Sequence, residues 1–232
     1  MKVEIWSDVM CPFCYIGKRK LEVGLQQIDF SDSVEIVWKS YQLNPELQTN
    51  PNSSIYHYLS EQKGMPMEQV RTMIIRVSEM AKEVGITMNF EQQVVANSFL
   101  AHRLSHLAKK WNVQHACEEA LFLAHFTEGK NIDSEDVILE IGTNLGISES
   151  EIQALFESDI YSNDVIQDQY EAQNVRVRGV PHFVFNDKYV VSGAQDSSVF
   201  AGALRQAFGE WKDAQTSFSS SENSCDLDGN CN

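Results

Sequence analysis

Hydrophobic and polar positions alternate in short runs near both ends of the chain and follow a helical period between them. The runs VEIWS at residues 3–7 and VEIVWKSY at residues 34–41 are rich in β-branched and aromatic residues, which is typical of strands. Between them, CYIGKRKLEVGLQQI has apolar residues at helical spacings. The chain is therefore predicted to open with a β-α-β unit, in which a right-handed crossover joins two parallel strands.

The middle of the chain predicts one helical insert. A polar, turn-rich stretch, LNPELQTNPNSS, is followed by more than a hundred residues with helical periodicity. Gly85 is a plausible C-terminal stop for the first long helix. Asn97 or Ser98 is expected to cap the next helix, and Ser134 a later one. We expect five or six helices in this insert.

Strand character returns close to the C-terminal end. HFVFN at residues 182–186 and YVVSG at residues 189–193 are separated by Asp187 and Lys188, which indicates a hairpin. DSSVFAGALRQAFGEWK then predicts an amphipathic closing helix. The order β-α-β, helical insert, β-β-α is that of the thioredoxin fold interrupted by an all-helical insertion, within the α/β class. We assign residues 1–45 and 178–212 to the thioredoxin-like domain and 46–177 to the insertion domain.

Composition and charge argue against some classes of function. The chain of 232 residues has a net charge of −15, which repels phosphate backbones and argues against nucleic-acid binding. No apolar run approaches the roughly 20 residues of a membrane span. The first residues do not resemble a secretory signal, so we expect a cytoplasmic protein. Five cysteines without an export signal do not indicate a disulfide framework, and any disulfide is more readily explained as transient and chemical.

The stretch SDVMCPFCYIGK places Cys11 and Cys14 where the first strand ends and a helix begins. A helix start supplies unpaired N–H groups and partial positive charge, which favour a thiolate at Cys11. Cys14, one turn later, is expected to be more buried and to resolve a mixed disulfide. Pro12 suits the first helical turn, where no N–H donor is needed. Half of a zinc site is the alternative, but the chain has no second C-x-x-C and no metal site is predicted.

A second candidate segment is VRGVPHFVF, which places Val180 and Pro181 directly before a strand. A proline cannot donate a hydrogen bond to a sheet there, and a cis peptide bond is a plausible solution. In the predicted fold this loop sits against the dithiol. An extended substrate chain could then pair with Val180 while its sulfur meets Cys11.

Four motifs in order resemble the DsbA family of thiol oxidoreductases, in particular its FrnE-like cytoplasmic branch. They are SDVMCPFCYIGKRKL, NSFLAHRL, LFLAHFTEGKNID and VRGVPHFVFNDKYVVSGAQ, and the resemblance covers the chain from about residue 3 to residue 210. It implies an oxidoreductase whose redox-active centre is the Cys11–Cys14 pair, with no other cofactor. It also implies that Val180 and a cis-Pro181 hold the substrate chain. His102 and Arg103 would face the cleft and touch substrate.

Phe13 departs from this family pattern, which often has Trp or His at the second position between the cysteines. Phenylalanine carries no charge and donates no hydrogen bond, so any stabilisation of a thiolate must come from the helix terminus and nearby backbone. Pro12 and Phe13 are expected to border the substrate. Disulfide formation, reduction and isomerisation therefore all remain open, on protein or small-molecule thiols and disulfides, including glutathione. The oligomeric state is not predicted.

The tail, residues 213–232, is Ser-rich and acidic, which predicts a flexible segment carrying a second cysteine pair, Cys225 and Cys231. The pair is interpreted either as two exposed thiols or as a flexible dithiol that exchanges with the first pair.

Two other functions stay open beside the oxidoreductase. Kappa-class glutathione transferases and 2-hydroxychromene-2-carboxylate isomerases share the inserted thioredoxin fold, but they need no resolving cysteine, so Cys14 argues against them. A metal-binding module that uses the cleft and the tail cysteines is the third interpretation. Metal binding would need neither the strand-to-helix position of Cys11 nor the Val180–Pro181 loop, so both features argue against this interpretation.

Overall fold

A computed structural model describes the chain from residue 1 to residue 221, and its side chains as far as Gln215. It contains a four-stranded sheet with the strand order β2-β1-β3-β4. The strands are β1 (Lys2–Ser7), β2 (Glu35–Ser40), β3 (His182–Phe185) and β4 (Tyr189–Ser192). The two inner strands thus come from opposite ends of the chain.

Strand pairing follows from hydrophobic runs that are buried at the centre of the sheet. β1 pairs in parallel with β2, where Ile5 lies opposite Trp38. It pairs antiparallel with β3, where Ile5 lies opposite Phe183, and β3 in turn pairs antiparallel with β4. All three of these side chains are buried. The predicted order β-α-β, helical insert, β-β-α is confirmed.

The two helices that complete this fold are α1 (Pro12–Gln26), after β1, and a long C-terminal helix, α9 (Ser197–Ser221). They pack closely against each other at Gly24. A Cβ atom there would lie 2.9 Å from the Cβ atom of Phe200. The glycine therefore permits a short distance between α1 and α9.

The insert between β2 and β3 has seven α-helices in the part of the chain that the structure describes, more than the five or six predicted. They are α2 (Ile55–Lys63), α3 (Met67–Glu83), α4 (Phe99–Lys110), α5 (Gln114–Phe122), α6 (Glu135–Asn144), α7 (Glu149–Glu157) and α8 (Ser162–Asn174). A 3₁₀ turn (Ser31–Ser33) precedes β2, and a π-helical turn (Leu123–Thr127) follows α5. Neighbouring short helices are hard to distinguish by sequence alone, because each contains only two or three turns of periodic pattern.

Helix ends agree in part with the predicted signals. Gly85 lies just beyond α3 with a φ of 77°, and the N–H of Ile86 donates to the Ala81 carbonyl, which confirms the predicted stop. At the start of α4, Ser98 is the N-cap residue without a side-chain hydrogen bond, and Asn97 Oδ1 accepts from the N–H of Phe99 at 2.8 Å. Ser134 occupies the N-cap position of α6 without a side-chain hydrogen bond.

Helix α9 continues to Ser221, beyond the boundary at Asp213 that composition suggested for the start of the tail. A helix anchored by buried residues such as Phe200 and Leu204 can continue beyond them, because each further residue adds one backbone hydrogen bond. Cys225 and Cys231 lie outside the described residues. Among residues 1–221, no helix combines the length and the apolar character of a membrane span.

A cluster of charged residues joins α1 to the insert. Lys18 is 2% exposed, and its Nζ lies 2.5 Å from Glu22 Oε1 and 2.7 Å from Glu119 Oε2. Glu119, on α5, also pairs with Arg19 and accepts from the Tyr15 hydroxyl at 2.7 Å. These ion pairs and hydrogen bonds hold α1 against the insert.

Candidate active site

The dithiol lies at the first turn of α1. Cys11 is the N-cap residue, with a φ of −92° and a ψ of 112°, and Pro12 is the first helical residue. The Cys11 N–H donates to the Asp8 carbonyl at 2.9 Å, and the Cys14 N–H donates to the Cys11 carbonyl at 3.0 Å. Both cysteines are free thiols, and both are buried. The structure thus places Cys11 where the unpaired N–H groups of the helix start are concentrated.

The two thiols differ in their surroundings. Burial raises the pKa of the Cys14 thiol well above its usual value, and the adjacent Cys11 sulfur adds to the effect. The Ser7 hydroxyl and the Asp8 backbone act in the opposite direction but do not outweigh burial. Cys14 therefore holds its proton at neutral pH, as expected of a resolving thiol that waits for a mixed disulfide.

The loop before β3 lies directly against this dithiol. The peptide bond between Val180 and Pro181 is cis. The Cys11 thiol donates to the Val180 carbonyl with a sulfur-to-oxygen distance of 3.6 Å. The Gly193 N–H donates to the Pro181 carbonyl at 2.8 Å and so connects the loop to the end of β4.

Close contact between this loop and α1 depends on Gly17. A Cβ atom at this position would lie 3.0 Å from Pro181 Cγ and 3.1 Å from Phe183 Cζ, closer than such atoms normally approach. The glycine in the second turn of α1 thus allows the proline ring to sit against the helix.

A buried carboxylate, Asp8, supports the loop that leads to Cys11. It is 0% exposed, and its oxygens accept from the N–H groups of Met10 at 3.1 Å and Leu43 at 2.7 Å. His102 Nε2 lies 3.5 Å from Asp8 Oδ1. Burial alone would raise the pKa of Asp8, but the neighbouring His102 imidazole and the hydrogen bonds from Leu43 and Ser98 hold it below its usual value.

Asp8 was not among the residues predicted for the site. The signal was present, because an acidic residue directly after a buried strand and three positions before Cys11 needs a partner in the folded chain. The partners themselves come from a distant loop and a distant helix.

The two residues of α4 predicted to touch substrate lie away from the cavity at Cys11, and their contact with substrate stays a prediction. His102 is buried beside Asp8, and Arg103 donates from Nε to the Ile160 carbonyl at 2.9 Å and from Nη2 to the Ser158 carbonyl. Neither lines the cavity at Cys11. The reason is that every residue from Ala101 to Leu104 is buried, so helical spacing does not distinguish the cleft from the interior.

A mainly apolar cavity of about 460 Å³ opens beside Cys11, between the thioredoxin-like part and the insert. Cys11, Pro12, Phe13 and Val180 form one side of it. The insert contributes apolar side chains, chiefly from α2 and α3: Ile55, Tyr58, Leu59, Met73, Ile74, Val77, Phe90 and Phe126. Polar groups are few: Asn44, Gln62, Lys63 and Gln93. Such a cavity suits an apolar group next to the reacting sulfur.

The π-helical turn after α5 brings two side chains to this region. Phe126 lines the cavity, whereas His125 is completely buried and its Nε2 lies 2.6 Å from Gln93 Nε2. Burial lowers the pKa of His125 to about 4. It is therefore a neutral imidazole at pH 7.

The structure thus brings together six of the residues predicted from the sequence. They are Cys11, Pro12, Phe13, Cys14, Val180 and Pro181. Within residues 1–221, no group of three or more His, Cys, Asp or Glu side chains is arranged to hold a metal ion.

A family model described as a DSBA-like thioredoxin domain matches residues 2–205 of the chain. The chain belongs to the DSBA-like thioredoxin family. A crystal structure of a probable DsbA oxidoreductase from Streptomyces coelicolor is 32% identical, covers 90% of this chain and 91% of its own, and has a TM-score of 0.84. An uncharacterised protein of Bacillus subtilis, YwbO, is 26% identical over 210 residues, 87% of this chain and 94% of its own.

More distant solved structures share the fold of this DSBA-like protein. The cytosolic disulfide reductase DsbM from Pseudomonas aeruginosa is 15% identical, with a TM-score of 0.60 over 93% of this chain and 99% of its own. A 2-hydroxychromene-2-carboxylate isomerase is 17% identical, with a TM-score of 0.64 over 94% and 99%. The predicted thioredoxin fold and the DsbA family of thiol-disulfide oxidoreductases are confirmed. The narrower FrnE-like branch stays a prediction.

Proposed function

We propose that this DSBA-like protein exchanges thiols and disulfides through Cys11 and Cys14. The observation that carries the proposal is the asymmetry of the pair. The Cys11 sulfur lies at a helix start against the Val180 carbonyl, and Cys14 is buried one turn later with its proton retained. Thiol-disulfide exchange needs one thiol that attacks the substrate disulfide and a second thiol that resolves the mixed disulfide.

In the reducing direction, the Cys11 thiolate attacks one sulfur of a substrate disulfide. The substrate S–S bond breaks, a mixed disulfide forms, and the other substrate sulfur leaves as a thiolate. Cys14 then loses its proton and attacks the Cys11 sulfur, which releases the second substrate thiolate and leaves a Cys11–Cys14 disulfide. The substrate gains two electrons and the dithiol loses two. The same steps in reverse form a substrate disulfide, and incomplete turnover isomerises one.

The Val180–Pro181 loop is proposed to hold the substrate chain. The Val180 carbonyl faces Cys11, and no group among the described residues accepts a hydrogen bond from the Val180 N–H. An extended substrate could satisfy this backbone and place its sulfur over Cys11. Pro12 and Phe13 would border the same substrate, since both line the adjacent cavity. No bound cofactor is needed in this scheme.

The proposed substrates are protein or small-molecule disulfides and thiols, and a reducing compartment such as the cytoplasm is proposed as the setting. DsbM, which shares the fold, is described as a cytosolic disulfide reductase and has a solved structure with GSH. Glutathione is therefore included among the candidate substrates.

The test is to trap the intermediate. A Cys14→Ala variant should accumulate mixed disulfides that non-reducing gels and mass spectrometry locate at Cys11, because the resolving step is lost. A Cys117→Ala variant is the matched control, since Cys117 is completely buried on α5 and should leave exchange unchanged. Absence of any adduct at Cys11 in the Cys14→Ala protein would rule out the mechanism.

A glutathione-dependent isomerase is the second candidate, supported by the fold shared with the 2-hydroxychromene-2-carboxylate isomerase. Such a reaction needs Cys11 alone. Full isomerase turnover in a Cys14→Ser variant, with no trapped adduct in Cys14→Ala, would favour it over exchange.

Cys225 and Cys231 are proposed as a second dithiol that passes electrons to or from Cys11 and Cys14. A chain ending at Ser221 removes both. The proposal expects the Cys11–Cys14 pair to equilibrate more slowly with a protein disulfide in the shortened chain. Identical rates in the two chains would show that the tail takes no part.

A further inference from the structure

Two arginines without partners lie on the segment between α8 and the Val180–Pro181 loop. Arg176 and Arg178 are both exposed. Within the described part of the chain, neither guanidinium makes an ion pair or a hydrogen bond. The chain as a whole is acidic, with 33 Asp and Glu against 18 Lys and Arg. Many of the other cations pair with a carboxylate, so these two are available to a ligand.

The backbone at Arg176 adds to this observation. Its φ is 59°, in the left-handed region directly after the C-cap of α8, and the next residue, Val177, donates its N–H to the Ala172 carbonyl at 2.8 Å. This position at a helix end favours glycine, which adopts such a conformation without steric cost. An arginine is held there although no contact within residues 1–221 uses its charge.

Both arginines line a cavity of about 370 Å³ with the loop that carries the cis peptide bond. Its other lining residues are Gly179, Val180, Pro181, His182, Ser192 and Gly193. Gly179 and Val180 also line the apolar cavity beside Cys11. The same short stretch of backbone therefore separates a basic cavity from the reacting sulfur. We call the cavity lined by Arg176 and Arg178 the basic cavity.

We propose that the basic cavity binds a carboxylate of the disulfide substrate, and this rests on the exchange function proposed above. The carboxylate belongs either to an acidic side chain near the substrate cysteine or to a small carboxylated thiol. In an extended substrate paired with Val180, neighbouring side chains point to opposite faces, so one can meet the basic cavity while the sulfur meets Cys11. Arginine forks match carboxylate oxygens in charge and geometry.

The experiment measures how fast Cys11 reacts with two peptides in the full-length Cys14→Ala protein. Each peptide carries one cysteine activated as a pyridyl disulfide, flanked by glutamate in one peptide and glutamine in the other. The background from other thiols is subtracted with a protein that also carries Cys11→Ser. The leaving group is neutral, so the glutamate side chains are the only difference in charge.

We expect the glutamate peptide to react about threefold to tenfold faster at low salt, and the ratio to fall as salt is added. Arg176→Gln or Arg178→Gln should reduce the ratio and leave the glutamine peptide unchanged. Lys82→Gln, which removes an equal charge from the exposed side of α3, is the matched control and should preserve the ratio. A ratio that neither arginine substitution changes overturns the proposal.

A second measurement separates this proposal from the exchange function. Fluorescence anisotropy gives the affinity of labelled peptides in which serine replaces cysteine, so no exchange is needed. If Cys11 reacts with neither peptide, exchange is refuted, and the binding ratio still decides the carboxylate site. Oxidised glutathione, compared with its ethyl ester, tests whether the carboxylate comes from a small thiol. If Arg178→Gln changes the result with oxidised glutathione but not with the peptide, the carboxylate belongs to a small thiol. If it changes the result with the peptide alone, the carboxylate belongs to an acidic side chain.

Discussion

Replacing Gly17 by alanine tests whether contact between α1 and the Val180–Pro181 loop sets the geometry of the dithiol. The added Cβ atom would lie 3.0 Å from Pro181 Cγ and 3.1 Å from Phe183 Cζ. Both neighbours are buried, and the proline ring belongs to the loop whose Val180 carbonyl lies 3.6 Å from the Cys11 sulfur. Relief of the clash therefore has to move the loop or the helix by a few tenths of an ångström.

Two opposing effects determine how much Gly17→Ala changes the free energy of unfolding. Alanine is favoured over glycine inside a helix by about 1 kcal/mol. Overpacking a well-filled site costs about 1–3 kcal/mol. We expect Gly17→Ala to lower the free energy of unfolding by about 1 kcal/mol on balance. The displaced loop should also slow the reaction of Cys11 with a substrate disulfide by roughly fivefold, because small errors in alignment cost rate.

Gly202→Ala is the matched control, because Gly202 lies in α9 and a Cβ atom there has no neighbour within 4 Å. It should raise the free energy of unfolding by about 0.5–1 kcal/mol and leave the exchange rate unchanged. Urea denaturation measures the first quantity, and release of thiopyridone from a pyridyl disulfide measures the second. If Gly17→Ala is stabilised as much as Gly202→Ala and reacts at the normal rate, the reasoning about this contact is wrong.

Three further predictions concern charge near the site. Asp8→Asn should lower the free energy of unfolding at pH 7 by about 2 kcal/mol in urea denaturation, because the amide keeps one acceptor oxygen where the carboxylate offers one each to the N–H groups of Met10 and Leu43; an unchanged midpoint would contradict this. Since the folded pKa of Asp8 is lowered, its contribution is present above the unfolded pKa and is lost as pH falls through the folded value. His125 has a folded pKa of about 4, so the unfolded chain takes up its proton first and stability should fall by about 3 kcal/mol between pH 6.5 and pH 4. His125→Gln should remove much of that loss, whereas His57→Gln on the exposed face of α2 should not. Phe13→His should raise the reduction potential against a glutathione series by about 30 mV, because a cationic ring favours the thiolate of the reduced form, and the shift should vanish well above pH 7.

The sequence predicted the parts of the molecule that local pattern determines. The buried strands appear as apolar runs, and the position of Cys11 follows from the change of period where β1 ends and α1 begins. Pro181 was predicted to lie near the dithiol because the order of strands and helices matched the thioredoxin fold, in which this loop lies against the dithiol. These inferences depend on residues that are close in the chain or on a known arrangement of strands.

Other features escaped prediction because they arise only when distant segments meet. Asp8 receives hydrogen bonds from Leu43, on a loop after β2, and contacts His102 on α4. The π-helical turn departs from α-helical spacing, so helical periodicity could not assign Phe126 to the cavity. Arg103, by contrast, was assigned to the cleft from the sequence. A residue on a fully buried stretch of helix can contact any neighbouring element, and Arg103 binds the loop between α7 and α8.

The contact between Cys11 and Val180 has a consequence for synthesis of the protein. The two residues are 169 positions apart in the chain. At roughly 5–20 residues per second, a ribosome needs on the order of ten to thirty seconds to make the intervening segment. During that time β1 lacks its inner neighbour β3, and Cys11 and Cys14 have neither the loop nor the cavity that later surrounds them. The nascent dithiol is then exposed to its surroundings before the loop and the cavity that later enclose it have formed.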